Sequence, residues 1–269
     1  MTIPDYIMES DAEALRLDLK TDPEVIEKQA LWAGLKPGMR VADVGCGAGK
    51  TTFFLHQLTQ SDGQTIGIDG SDHRLDYARK HYSAEGIDYV RRDFLQSIDD
   101  LGQFDFVWLR FVLEYFRSNS FDIVKNVSTI LKPGGILCLI DLDCNCLRFS
   151  GLSERMEKAV YGVMKALEQN TDFDPYIGVK LYTYLYDLGF QEIDVHVTHH
   201  NLAFGELNEI AAFNWTKKVA VTARSSGYQF EEYPGGFEEF FEEAKRSFAD
   251  PRRFQYSPLI SCKGRKPPS

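Results

Sequence analysis

The sequence has no long apolar run: no window reaches the 18 or more uninterrupted apolar residues that a membrane span requires, so no membrane contact is expected. Its first residues, Met1-Thr2-Ile3-Pro4-Asp5, carry neither the basic start nor the apolar stretch of a secretory signal, and a cytoplasmic address is expected. Cysteine is scarce. The five present (Cys46, Cys138, Cys144, Cys146 and Cys262) are an odd number in a chain of 269 residues, long enough to bury its own core, and they read as reduced thiols rather than a disulfide framework. Cys144-x-Cys146 has the form of half a metal site. No His or Cys pair at suitable spacing supplies the other half, so no metal is expected. Positive charge is also in deficit, with 30 Lys and Arg against 40 Asp and Glu, a net charge of −10. That balance repels a phosphate backbone and disfavours nucleic acid as a partner.

What is present is ordinary globular composition, 43% hydrophobic and 26% charged, with no internal repeat and no low-complexity tract. Between residues 38 and 147 short apolar runs alternate with amphipathic stretches. The runs are Arg40–Val44, Thr65–Asp69, Ile87–Val90, Phe104–Leu109 and Ile136–Ile140. The stretches between them, Thr51 to Gln60, Asp72 to Tyr82 and Asp122 to Leu131, have helical periodicity. This alternation predicts βαβ units on a parallel sheet covered by helices on both faces. Two helices are expected in residues 5–34, the second starting at Thr21-Asp22-Pro23. Further helices are expected over 152–188 and 205–248. Ile193, Val195 and Val197 alternate with polar residues as in a half-buried strand. A last strand is expected within Phe254–Lys263, starting after Pro258 or bulging there.

The fold expected is therefore α/β: a Rossmann-like, doubly wound, mostly parallel seven-stranded sheet, with helical N-terminal and C-terminal additions forming a lid. One compact domain is expected, with a helical cap over 1–34, a core over 35–147, and residues 148–269 adding helical insertions and the last two strands. Right-handed crossovers place the loops after each strand along one edge, where open α/β sheets bind ligands.

The segment Asp43-Val44-Gly45-Cys46-Gly47-Ala48-Gly49-Lys50-Thr51 follows a strand and opens a helix. Glycines there allow a sharp turn and close approach of a ligand, and the helix N-terminus offers free N–H groups. A phosphate-binding P-loop would need glycine where Val44 stands. A dinucleotide fingerprint would need glycine where Lys50 stands. The stretch resembles instead the first motif of the class I S-adenosylmethionine-dependent methyltransferases, complete as Asp43, Gly45, Gly47 and Gly49. The resemblance continues through Asp69 (beside Gly70), Asp93-Phe94 and Leu131-Lys132-Pro133-Gly134-Gly135. It covers about Leu35 to Asp143 and extends more loosely to Gly189-Phe190 and Lys263–Pro267.

What this resemblance implies is binding of S-adenosylmethionine, with Asp69 on the ribose hydroxyls, Asp93 on the adenine amine and Phe94 against the adenine face. Cys46 would sit beside the cofactor, and Arg110 or Arg16, the latter within Glu13-Ala14-Leu15-Arg16-Leu17, would hold the methionine carboxylate, with Tyr6 closing the site. Structural roles remain open for the same residues: a helix cap for Asp69, a loop acid for Asp93, a buried filler for Cys46, and surface pairs for Arg110 and Arg16. Candidate bases along the edge are His199, His200, Tyr115, Asp141, Asp143 and Glu114, although a capping or surface group is the commoner role for each. The aromatic-rich stretch Phe204, Phe213, Trp215, Tyr228, Phe230, Tyr233, Phe237, Phe240 and Phe241 suits either a core or an apolar acceptor pocket. The implied function is methyl transfer to an O, N or C atom of a small, apolar or aromatic metabolite, with a homodimer left open. Rival readings are a protein or peptide methyltransferase, a catalytically silent cofactor-binding domain, and an NAD-dependent oxidoreductase.

Overall fold

The computed structural model describes residues 21–60 and 62–268. The first element of the described residues is helix α1 (Pro23–Ala33). Asp22 caps it by accepting from the Glu24 N–H at 3.0 Å, Pro23 occupies the first turn, and Gly34 ends it at φ 102°. The remaining helices are α2 (Lys50–Thr59), α3 (Asp72–His81), α4 (Ser120–Thr129), α5 (Glu154–Asn170), α6 (Leu181–Asp187), α7 (Glu209–Ser226) and α8 (Gly236–Ser247). The strands are β1 (Arg40–Val44), β2 (Gln64–Asp69), β3 (Ile87–Arg91), β4 (Phe104–Arg110), β5 (Leu131–Leu142), β6 (Arg148–Ser150), β7 (Gln191–Phe204) and β8 (Phe254–Arg265).

Strands β3-β2-β1-β4-β5 pair in parallel, in that order. The antiparallel strand β8 follows β5, and β7 pairs antiparallel with its far side. The chain reverses order at β1, between β2 and β4, so the carboxyl ends of these strands flank a crevice.

Successive side chains of the central strands face opposite layers, and both layers are apolar. Ala42, Val44, Val107, Leu109, Leu137 and Leu139 pack with Ile123 and Val127 of α4 and Leu181 and Leu185 of α6. Val41, Phe106, Trp108, Cys138 and Ile140 pack with Ile26, Ala30 and Ala33 of α1 and Leu55 of α2. The aromatic-rich additions have their own core: Phe230, Tyr233 and Phe240 pack with Met156, Val163 and Leu167 of α5.

Several boundaries differ from the sequence expectation. The strand β5 begins at Leu131, so the turn Lys132–Gly135 is a bulged part of it. The last strand begins at Phe254 and runs through Pro258. Pairing with β5 begins at Leu259 and pairing with β6 ends at Tyr256, and Pro258 lies in the gap between them. The three-residue strand β6 is an addition to the seven expected. Strand β7 is not half-buried: Val195 and Val197 are exposed, because β7 is the sheet edge and only its start, near Ile193, meets the α6 layer. The expected helical stretch over 205–248 is two helices, separated around Gly227–Gly235.

A candidate cofactor cleft at the strand ends

Gly45, Gly47 and Gly49 take φ values of 76°, 54° and 85°, the left-handed region that glycine alone enters without strain. A Cβ on Gly45 would stand 2.3 Å from Val112 Cγ2, and one on Gly49 would stand 2.5 Å from Ala78 Cβ. The turn is thus wedged between the loop after β4 and helix α3. Behind it, Thr52 donates to Asp43 Oδ2 at 2.7 Å, tying β1 to α2.

The cleft runs from this turn across the ends of β2, β3 and β4 to the segment before the one-turn helix Ile177–Lys180. At the turn end it is lined by Gly45, Cys46, Gly47, Asp69, Gly70 and Asp93. Beyond Phe94 and Arg110 the lining becomes aromatic, with Phe111, Tyr115, Phe116 and Phe173.

Asp69 is 4% exposed at the end of β2. Its Oδ1 accepts from the Ser71 N–H at 3.0 Å and from Arg74 Nη2 and Nε at 2.8 and 3.1 Å; its Oδ2 accepts from the Gly47 N–H at 2.9 Å. An ionised carboxylate offers about four lone-pair sites, so Oδ2 keeps room for a ligand hydroxyl. Asp69 is not the cap of α3. Ser71 is, accepting from the Arg74 N–H. Asp93 accepts from the Leu95 N–H at 3.0 Å, and Phe94 meets Phe116 edge-on at 5.5 Å.

Arg110 ends β4 with its guanidinium 4.2 Å above the Phe111 ring, and its buried Nε has no partner among the described residues. Burial lowers its pKa to about 10, against the pull of Asp43 and Asp141, so it remains a cation at neutral pH. An unpaired cation facing a cleft fits the carboxylate of an amino-acid moiety. Burial pushes the Cys46 thiol well up, which fits a filler and not a nucleophile.

Not every expected residue lines the cleft. Asp43 is 2% exposed and lies behind the turn; burial raises its pKa to about 7, only partly opposed by the Thr52 bond and Arg110. Asp141 is buried too, and accepts from the N–H groups of Leu113 (3.0 Å), Glu114 (3.3 Å) and Leu142 (2.9 Å). Burial first, then neighbouring Glu114, raises its pKa well above the carboxylate range. Its place is to hold the loop after β4, not to reach a substrate. Glu114 is likewise buried and accepts from Asn145 Nδ2 at 2.9 Å. His199 is exposed on β7, opposite Pro258. His200 is half-buried with its ring 5.0 Å from Phe111, one layer back from the cleft. Of the weak base candidates, Tyr115 alone lines the cleft. None of the nine aromatics from Phe204 to Phe241 does; Phe230, Tyr233 and Phe240 form the lid core. Tyr6 and Arg16 lie outside the described residues.

Sequence reading missed Arg74, Arg92, Phe111, Phe116 and Asp172-Phe173, all of which line the cleft. Arg74 could have been inferred, because a helix starting at Asp72 turns residue 74 back over Asp69. Nothing local marks Asp172-Phe173. They reach the cleft because the Phe116–Ser118 loop binds them: the Arg117 N–H donates to the Asp172 carbonyl at 2.8 Å and Ser118 Oγ to Asp172 Oδ1 at 2.6 Å. Among the described residues no group of three His, Cys, Asp or Glu could hold a metal ion, and no helix is long and apolar enough to cross a membrane.

A left-handed glycine turn after β1, an acid ending β2, an acid-aromatic pair after β3 and the 3-2-1-4-5 strand order define one class. In these features, and in its fold, the chain resembles the class I S-adenosylmethionine-dependent methyltransferases. Residues 41–135 match the methyltransferase domain family. The chain is 36% identical over 115 residues to the 2-phytyl-1,4-naphtoquinone methyltransferase of Synechococcus elongatus, covering 41% of this chain and 49% of that one. It is 32% identical over 108 residues to the demethylmenaquinone methyltransferase of Staphylococcus aureus, covering 39% and 44%. The chain thus spans about half the length of the curated relatives it matches. A solved structure from Bacillus halodurans C-125, assigned to the methyltransferases, superposes with a TM-score of 0.60 at 18% identity, over 91% of this chain and 99% of that one.

Proposed function

We propose that the protein transfers a methyl group from S-adenosylmethionine to an O, N or C atom of a small metabolite with an apolar or aromatic body. The observation that carries this reading is the juxtaposition, in one cleft, of the glycine turn, the free face of Asp69 Oδ2 and the unpaired Arg110 cation. S-adenosylmethionine, when bound, supplies an activated methyl group on a sulfonium and leaves as a neutral thioether. Gly45, Gly47 and Gly49 would let the main chain approach it. Asp69 would accept from the ribose, Asp93 from the adenine amine, Phe94 would cover the base and Arg110 would pair with the carboxylate.

The chain's own work beyond binding is to orient the acceptor and exclude water, and a well-oriented acceptor gains several kcal/mol over free encounter. The aromatic wall of Phe111, Tyr115, Phe116 and Phe173 suits a flat apolar acceptor. The quinone methyltransferases among the relatives support the same class. Tyr115 would hold a proton at the acceptor through its hydroxyl, a reading supported by its presence in the cleft lining.

Incubation with methyl-labelled S-adenosylmethionine and a metabolite extract tests the reading. Label should move to an organic-soluble small molecule. Label on protein would replace it with peptide methylation, and binding without any transfer would make the chain a cofactor-binding domain.

A further inference from the structure

Two cations beside the lid lack a carboxylate among the described residues. Arg253, just before β8, is 3% exposed. One guanidinium nitrogen donates to the Gln255 side chain, while Nη1 is buried with no partner. Asp250, the acid nearest in sequence, is held by Arg252 at 2.8 Å. Lys218, half-buried on α7, donates to Cys146 Sγ at 3.2 Å, and no carboxylate of the described residues pairs with it. Acids outnumber bases by ten in this chain, so two unpaired cations on one ring are notable. Trp215 is that ring, 5.0 Å from Lys218 Nζ and 5.9 Å from Arg253 Cζ, with Phe248 a further 5.6 Å contact to Arg253. These distances approach the outer limit of cation–π attraction, which does not offset the desolvation of a buried guanidinium. Burial lowers the Arg253 pKa, yet a guanidinium keeps its proton at neutral pH.

We propose that Arg253 and Lys218, with Trp215, form a binding site for a carboxylate borne on a planar apolar ring. The two cations supply the charge and donors that a carboxylate completes, and the half-buried indole supplies a face for the ring. A singly charged carboxylate suits this partly desolvated position better than a phosphate, whose second charge costs more to bury. A chain of contacts links the site to the cleft wall. Cys146 follows the carboxyl end of β5, and its N–H donates to Ser257 Oγ at 3.2 Å. His200 pairs with Ser257 across the β7–β8 ladder, and its ring lies 5.0 Å from Phe111 in the cleft wall. This inference does not depend on methyl transfer.

Benzoate and inorganic phosphate are the probes, titrated into the full chain without nucleotide at constant ionic strength, with tryptophan fluorescence as the readout. Benzoate should quench saturably, and at least tenfold more tightly than phosphate. Arg253→Met and Lys218→Met should each weaken benzoate at least tenfold, and Trp215→Phe should abolish the saturable quench. Lys218 is half-buried on a surface helix, so its variant keeps the test decisive if Arg253→Met does not fold. Absence of saturable benzoate binding, an unchanged affinity in Lys218→Met, or quenching that survives Trp215→Phe would overturn the site. Tighter binding of phosphate would overturn the proposed ligand class.

Discussion

At the scale of single residues, two aspartates that look alike in sequence do different work. Asp69 presents one oxygen to the cleft, whereas Asp43 is sealed behind the turn. Asp69→Ala removes the acceptor proposed for the ribose, and S-adenosylhomocysteine should bind at least tenfold more weakly in titration calorimetry. An unchanged dissociation constant would detach Asp69 from cofactor binding. Asp43 makes a prediction about pH. Its folded pKa lies near 7 against 3.8 for the free side chain, so the folded state binds more protons between these values. Stability then falls as pH rises from about 4 to 7 and levels off above, a loss bounded at about 4 kcal/mol for a shift of this size. Asp43→Asn still accepts from Thr52 but cannot ionise. Its melting temperature relative to wild type should therefore climb between pH 5 and pH 8. A difference independent of pH would show that Asp43 titrates normally.

At the scale of elements, the lid is a second small core leaning on the cleft wall. Phe240 is fully packed, 4.7 Å from the Phe230 ring and 5.6 Å from Tyr233, and Tyr115 packs against the same cluster while lining the cleft. Phe240→Ala should cost about 3–5 kcal/mol in denaturant unfolding, by lost transfer and the cavity left behind. Because that cavity opens in the cluster against which Tyr115 packs, the KM for acceptor should rise more than the Kd for cofactor. Equal effects on both would separate the lid from the acceptor wall. Elements also show how much the sequence disclosed. The five parallel strands and the turn at Gly45–Gly49 were legible because alternation and glycine spacing are local signals. The edge status of β7 was not, since Ile193, Val195 and Val197 alternate identically whether one face is covered or bare. Nor was the role of the aromatic stretch. Spacing shows that Phe230 and Phe240 share a helical layer with α5 no better than that they line a pocket, and tertiary packing decided it.

At the scale of the whole molecule, ligand binding and folding are linked, and this separates nucleotide classes that one glycine turn alone leaves close. A ligand that binds only the folded chain stabilises it by about 2.7 kcal/mol at one hundred times its dissociation constant. For domains of roughly 150–250 residues, each kcal/mol moves the melting temperature by about 2–4 °C, so a shift of about 5–10 °C is expected with saturating S-adenosylhomocysteine. NADH should give none. Lys50 occupies the position where a dinucleotide turn needs glycine, and Asp69 at the end of β2 leaves a 2′-hydroxyl welcome but offers nothing to a pyrophosphate. Asp69→Ala supplies the internal control, because a shift that acts through the cleft must shrink in that variant while nonspecific stabilisation would not. If NADH raised the melting temperature and S-adenosylhomocysteine did not, the turn would be holding phosphate. Arg74, already drawn onto Asp69 at 2.8 Å, would then be one of the cleft-lining cations able to bind it.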